Sequence, residues 1–361
     1  MADELTPFLT ALPKADLHCH LLGTVRADTF AELARREQLD LPEAPETIFA
    51  SINSRPPDPE LYRSTRIPMP QGRSADEPVT SYSLFQVSEW VRGVLRDADD
   101  LTRITYEAFQ AAHAAGTWHL EVSFDMIPEH LAHLGYARWV EAHAEGIRLA
   151  ERDFGMTGRL LAAIDRSGTG EEALEWVRTV TAHPHDYVAG IGLDNLETAG
   201  PPERFADAYR LAGQAGLGRT AHTSEHVPAA RNAVTCLDVL GCDRLDHGYF
   251  VLEDDAVVAR MREEQVAFTV ASTTSRRSWR PWRRASILAM LEAGLNVFPC
   301  SDDPGMFPTT VLAEYGILAG AGVPVQRLTE MARASFVASW LPEPQKAEVL
   351  NRFDALVGSL R

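Results

Sequence analysis

Two periodicities alternate along the chain. Short apolar, β-branched runs recur, and between them lie longer stretches with apolar residues at helical spacing. The short runs are "ADLHCH" near residue 15, "TWHLEVSF" near 117, "RLLAAID" near 159, "YVAGIGLD" near 187, "LGRTAHT" near 217, "RLDHGYF" near 244, "VAFTVAST" near 266 and "LNVFPCSDD" near 295. The intervals include "LTRITYEAFQAAHAAG" and "RWVEAHAEGIRLAERDFG", each closed by a glycine suited to a helix end. Strand alternating with helix implies a parallel sheet, and eight such units imply an α/β fold of the (β/α)8 TIM-barrel type. No sequence repeat is visible, and the units differ in length. The pattern predicts one barrel domain over residues 1–361.

The first interval departs from this rhythm. Residues 41–80 include "RPPDPELYRSTRIPMPQGRSADEP", too rich in proline for one helix. The stretch leaves the first strand at the face where barrel enzymes build their sites. It reads equally as a lid insertion over the mouth and as a solvated surface excursion.

Composition narrows the function. With 34 basic and 51 acidic residues, the net charge of -17 argues against nucleic acid or an anionic membrane as a partner. No apolar run reaches the roughly 18 residues a membrane span requires. The N-terminal "MADELTPFLTALPKADLH" is acidic where a signal peptide would be basic and then apolar. Cys19, Cys236, Cys242 and Cys300 have no CxxC spacing and read as reduced, buried thiols of a cytoplasmic protein. A small-molecule substrate is expected, and the oligomeric state stays open.

The chemistry gathers at the ends of the expected strands. In a strand, His18 and His20 point to the same side. The fifth strand ends in "HTSE" with His222 and Glu225, the sixth in "DHG" with His247, and the eighth in "SDDP" with Asp302 and Asp303. In a barrel these ends converge on one mouth. His18, His20, His222 and Asp302 then form a plausible zinc shell of imidazole nitrogens and a carboxylate, although iron or cobalt accepts the same ligands. Zinc lowers the pKa of a bound water to about 7. His247 has the intrinsic pKa of a general base. Glu225 suits a general acid if burial raises its pKa, and Asp303 could orient the water. The plainer reading of Glu225 and Asp303 is loop capping.

Taken in order, these segments resemble the adenosine deaminase family of amidohydrolase barrels. "PKADLHCHLLGT" resembles the family's opening HxH strand, "HLEVSF" its second strand, "HTSE" its HAGE, "LDHG" its GHG-type segment, and "SDDPGMFPTTVLAEY" its C-terminal signature. The resemblance implies that His18, His20, His222 and Asp302 hold one zinc ion per chain. It implies that Glu225 protonates a ring nitrogen and that His247 and Asp303 handle the attacking water, with the amino group leaving as ammonia. No lysine suggests a bridging carbamate, so one metal is expected.

Departures from the family pattern concern the substrate. Leu22 stands where family members usually carry an acid that hydrogen-bonds a sugar hydroxyl. A hydroxyl left without that partner costs on the order of 1–3 kcal/mol. Around Asp194 the sequence reads "LDNLETAG", so Asn195 and Glu197 replace a glycine turn that lies against the purine in the family. Residues 272–284, "STTSRRSWRPWRR", replace a CPxSN-like segment. Arg276, Arg277 and Trp279 in this run suit an anionic aromatic substrate, and Arg63, Arg66 and Arg73 would support the same reading. A solvated helix start or a subunit contact explains the run as well. Ser123 replaces a basic residue, and nothing in the sequence explains that change.

The expected function is zinc-dependent hydrolytic deamination of adenosine or a related amino-purine or amino-heterocycle. A modified or anionic nucleoside is the nearest alternative. A metal-dependent hydrolase of a cyclic amide and a non-catalytic purine-binding protein are the others.

Overall fold

The computed structural model describes residues 2–52, 64, 66–68, 82–125 and 133–360. The strands are β1 (Lys14–His20), β2 (Thr117–Phe124), β3 (Thr157–Asp165), β4 (Val188–Asp194), β5 (Gly218–Arg219), β6 (His222–Thr223), β7 (Leu245–His247), β8 (Ala267–Val270) and β9 (Asn296–Pro299). They pair in parallel in the orders β1-β2-β3-β4-β5 and β6-β7-β8-β9. Helices follow the strands and cover the outside, as the alternating pattern predicts.

Two seams join these sheets into a barrel. At one, the run read as the fifth strand divides and changes partner. Thr220 N still donates to Ile191 O at 3.0 Å beside β4, while Ala221 O accepts from Asp246 N at 2.9 Å beside β7. At the other, a bridge pairs Cys19 with Asp302. Asp302 N donates to His18 O and His20 N donates to Asp302 O, both at 2.9 Å.

The interior away from the mouth carries a buried charge network. Arg244 Nη1 lies 2.6 Å from Glu121 Oε2, and its Nη2 donates to Leu17 O at 3.0 Å. The guanidinium also lies 3.8 Å from the centre of the Trp340 ring. Trp340 fits because β4 and β5 carry glycines beside it. A Cβ on Gly190 or Gly218 would come within 2.5 or 2.2 Å of the indole. Burial pushes the Glu121 carboxyl up, but Arg244, His119 and the Trp340 amide outweigh it and bring it down to about 2.

Of the 41–80 stretch, residues 41–52, 64 and 66–68 are described. Arg63 and Arg73 lie outside the described residues, as does most of the expected lid. Arg66 pairs at the surface with Asp255 at 2.9 Å and is not among the residues facing the mouth. All four cysteines are free and buried. Among the described residues, no helix is long and apolar enough to cross a membrane.

The Glu121–Arg244 pair generates a stability prediction. Arg244→Met leaves a buried carboxylate without its partner and should cost about 3–5 kcal/mol, read as a lower urea midpoint. Because the folded-state pKa of Glu121 is depressed from 4.5 to about 2, its contribution is present above pH 4.5 and is lost as pH falls toward 2. Glu121→Gln should remove that part of the acid slope, and an unchanged slope would contradict it.

Candidate active site

The backbone at the strand ends aims the site residues. Asn195, Ser224, His247 and Asp302 have φ of 75°, 49°, 69° and 62°, in the left-handed region that non-glycine residues rarely occupy. Each follows or ends a strand at the mouth. Such geometry costs on the order of 1–3 kcal/mol per residue and persists only where the surroundings hold it. Glu197 supplies that hold at Ser224 and the loop after it. Its carboxylate accepts from Ser224 N, Glu225 N, His226 N and Val227 N at 2.7–3.1 Å and from Asn232 Nδ2 at 2.9 Å.

At the centre, imidazoles meet one carboxylate. His18 Nε2 and His20 Nε2 lie 3.3 and 3.4 Å from Asp302 Oδ1. Their other nitrogens face acids: His18 Nδ1 is 3.1 Å from Asp246 and His20 Nδ1 is 3.3 Å from Asp194. His222 Nδ1 lies 3.5 Å from Asp194 and 3.9 Å from Asp246. Carboxylates behind, with the second ring nitrogen directed inward, is the arrangement of metal-binding histidines. Sequence reasoning missed Asp246. Its only sequence signal is an acid within an apolar strand, where Thr220 and Thr269 hydroxyls donate to it at 2.8 and 2.7 Å.

These residues fit a single zinc ion. His18 Nε2 is buried and makes no hydrogen bond of good geometry, although Asp302 stands beside it. One ligand atom each from His18, His222, His247 and Asp302 lies within 4.8 Å of the others. This group includes His247, expected as a base, and does not include His20, whose Nε2 nevertheless faces Asp302. The field favours a cation. Burial lowers the His18 and His20 pKa values, but Asp246 and Asp302 outweigh this for His18 and raise it well above its usual range, and Asp194 leads in raising His20 to about 10. Burial and the neighbouring His18 push His222 down to about 4, the neutral form a metal needs.

The cavity beside this centre is lined by His20, Leu22, Gly23, Asp194, His222, Glu225, His226, His247, Arg283, Asp302 and Asp303. Its mouth is formed by Leu84, Phe85, Glu89 and Arg92 of helix Leu84–Val94 together with Asp125, Asp165, Asn195 and Leu196. Asp303 rests directly on Gly23, where a Cβ would come 2.0 Å from Oδ1. Burial and the adjacent Asp302 push Asp303 up to about 8.

Glu225 corrects an expectation. Burial does push its pKa up, but His226, His247 and Arg283 outweigh that and hold it well below the usual range. Oε2 lies 2.9 Å from His226 Nδ1 and 3.6 Å from His247 Nε2, and Oε1 is paired with Arg283. In the free protein it is a carboxylate.

The substrate residues expected from sequence divide. Leu22 and Asp194 line the cavity, whereas Glu197, Arg276, Arg277 and Trp279 do not. Glu197 faces the 224–227 loop. Arg277 Nη2 donates to Ala50 O at 3.0 Å. Trp279 is buried edge-to-face on Trp282 at 6.0 Å. Thr274 and Arg283 are the members of the 272–284 run that line the cavity.

Comparison with known proteins gives a consistent result. A model of the adenosine deaminase family matches residues 72–356. The chain is 32% identical to an adenine deaminase of Streptomyces coelicolor, over 98% of this chain and 97% of that one. It is similar to the structure of an adenine deaminase from Arthrobacter aurescens at 30% identity and TM-score 0.77, covering 96% of this chain and 99% of that one. A zinc-bound cog1816 amidohydrolase structure from Burkholderia ambifaria matches at 31% identity and TM-score 0.81, covering 98% and 94%.

The contact beneath Asp303 is open to a direct test. Gly23→Ala places a methyl where the Asp303 carboxylate sits, so the acid must move. Turnover should fall about tenfold or more, a barrier increase of ~1.4 kcal/mol, with zinc content unchanged by metal analysis. Wild-type turnover in this variant would mean that the position of Asp303 does not matter.

Proposed function

Because the chain belongs to the adenosine deaminase family, we propose that it deaminates adenine, the free base, using His18, His20, His222 and Asp302 to hold zinc. The class of reaction is zinc-dependent hydrolytic deamination of an amino-purine or related heterocycle. The observation that carries the reading is the convergence of the His18 and His20 Nε2 atoms on Asp302, beside a buried cavity that also holds Glu225, His247 and Asp303.

When bound, zinc supplies a water molecule whose pKa is brought down to about 7. Asp194 and Asp246 orient the ligand imidazoles from behind. His247 takes a proton from the water and Asp303 orients it as the water's oxygen bonds to the carbon bearing the amino group. Glu225 faces the neighbouring ring nitrogen. It starts as a carboxylate, so the proton it gives to the ring reaches it during turnover by way of His247, 3.6 Å away. Asp303, which carries a proton, gives it to the amino group and takes the remaining hydroxyl proton in its place, so the C–N bond breaks, a carbonyl forms and ammonia leaves.

Two features support a neutral free base. Leu22 presents an apolar wall and offers no partner to a sugar hydroxyl. Among the described residues that line the cavity, Glu89, Asp125 and Asp165 stand beside Arg92, which is itself engaged by Glu89 at 2.9 Å. That balance disfavours a phosphate or carboxylate. The adenine deaminase relatives point the same way.

Ammonia release should therefore show kcat/KM for adenine above that for adenosine by about 5- to 150-fold, the equivalent of 1–3 kcal/mol for an unpaired hydroxyl. Preference for adenosine would overturn the free-base reading while leaving the reaction class intact. Glu225→Gln should retain its zinc and lose about 10²–10⁴ in kcat. An active Glu225→Gln enzyme would remove Glu225 from the proton path.

A further inference from the structure

We propose that Arg283 is a positioning residue for the deamination, fixing one oxygen of Glu225 so that the other is presented to the imidazoles and the substrate. The inference rests on the reading of Glu225 as the residue that serves the ring nitrogen.

The local sequence makes Arg283 an unlikely choice for stability alone. It lies in the first turn of helix Arg280–Glu292, where the helix dipole is positive and disfavours a cation. Its relative exposure is 2%, and burying a guanidinium costs several kcal/mol unless it is paired with good geometry. Yet this side chain turns into the cavity while its neighbours in the arginine run do not.

Its surroundings hold it as a fixed fork. Nη2 donates to Glu225 Oε1 and lies 3.4 Å from His226 Nε2. Nη1 lies 3.5 Å from both the Tyr249 hydroxyl and Ala271 O. The Tyr249 ring centre is 5.0 Å from the guanidinium carbon. Tyr249 is itself fixed, donating to Ala271 O at 2.7 Å. Arginine does not give up its proton in proteins, so Arg283 cannot be the acid. It holds Oε1 and leaves Oε2 for exchange with His226, 2.9 Å away, and His247, 3.6 Å away. Glu197 fixes the backbone of the same loop, so Glu225 is held at its backbone by one residue and at its carboxylate by another.

The test uses zinc-loaded, full-length Arg283→Ala and Arg283→Lys with adenine and adenosine. Misplacing a catalytic group by about 1 Å costs about 10²-fold. Arg283→Ala should lose kcat on that scale, with KM changed less than about threefold and zinc retained. Millimolar methylguanidine should restore part of the lost kcat. Arg283→Lys should remain impaired, because a point charge does not reproduce the fork. If Arg283→Ala does not fold, Arg283→Lys carries the test through the same split between kcat and KM.

Unchanged kcat in either variant overturns the assignment. So does a loss seen only in KM or zinc content, or folded, zinc-loaded Arg283→Ala that methylguanidine does not rescue. A wild-type enzyme that releases no ammonia from either substrate overturns the functional reading and this assignment with it. Wild-type turnover with an unaffected variant overturns this assignment alone.

Discussion

One residue joins the closure of the barrel to the assembly of its site. The backbone of Asp302 accepts from His20 N and donates to His18 O, tying the end of the chain's last strand position to its first. The carboxylate of the same residue receives the inward nitrogens of His18 and His20. The two imidazoles and the acid therefore reach their places by the pairing that closes the sheet. A strand that slipped by one residue would turn both histidines to the other face. Fold and metal centre stand or fall together.

Charge burial is the price of this arrangement, and it is met at two levels of the barrel. Near the mouth, Asp194, Asp246 and Asp302 surround the histidines and create a field that favours a cation. Deeper inside, Glu121 and Arg244 neutralise each other beside Trp340. Breaking such a pair leaves one buried charge, which is why single replacements there should be more damaging than double ones. The left-handed backbones at Asn195, Ser224, His247 and Asp302 belong to the same economy. At Asn195, His247 and Asp302 they accompany side chains that line the cavity, and at Ser224 the backbone is held by Glu197.

At the substrate end, the arginine run looked like a reader of anions, and the structure distributes it differently. Arg277 ties down the backbone at Ala50, Trp279 packs inside, and Arg283 is taken up by Glu225. Among the described residues, the cavity also carries the acids Glu89, Asp125 and Asp165 and the apolar surface of Leu22, Leu84, Phe85 and Leu196. His226, His247 and the Arg283 guanidinium together hold the Glu225 pKa low despite its burial.

The sequence by itself determined the barrel and most of the residues at its mouth. Period-two alternation put His18 and His20 on one face, and the order of strand-end motifs named His222, Glu225, His247, Asp302 and Asp303, because these features are local. It did not determine which groups stand behind them. Asp246 gave no signal beyond being an acid in an apolar strand, and its partner His18 lies more than two hundred positions away. Glu197 read as a substrate contact because the sequence shows its strand end but not the loop that folds over it. Among five neighbouring arginines, only helix phase and the packing of Tyr249 and Trp282 decide that Arg283 turns inward. Those choices are made by contacts between distant segments, and only the tertiary structure contains them.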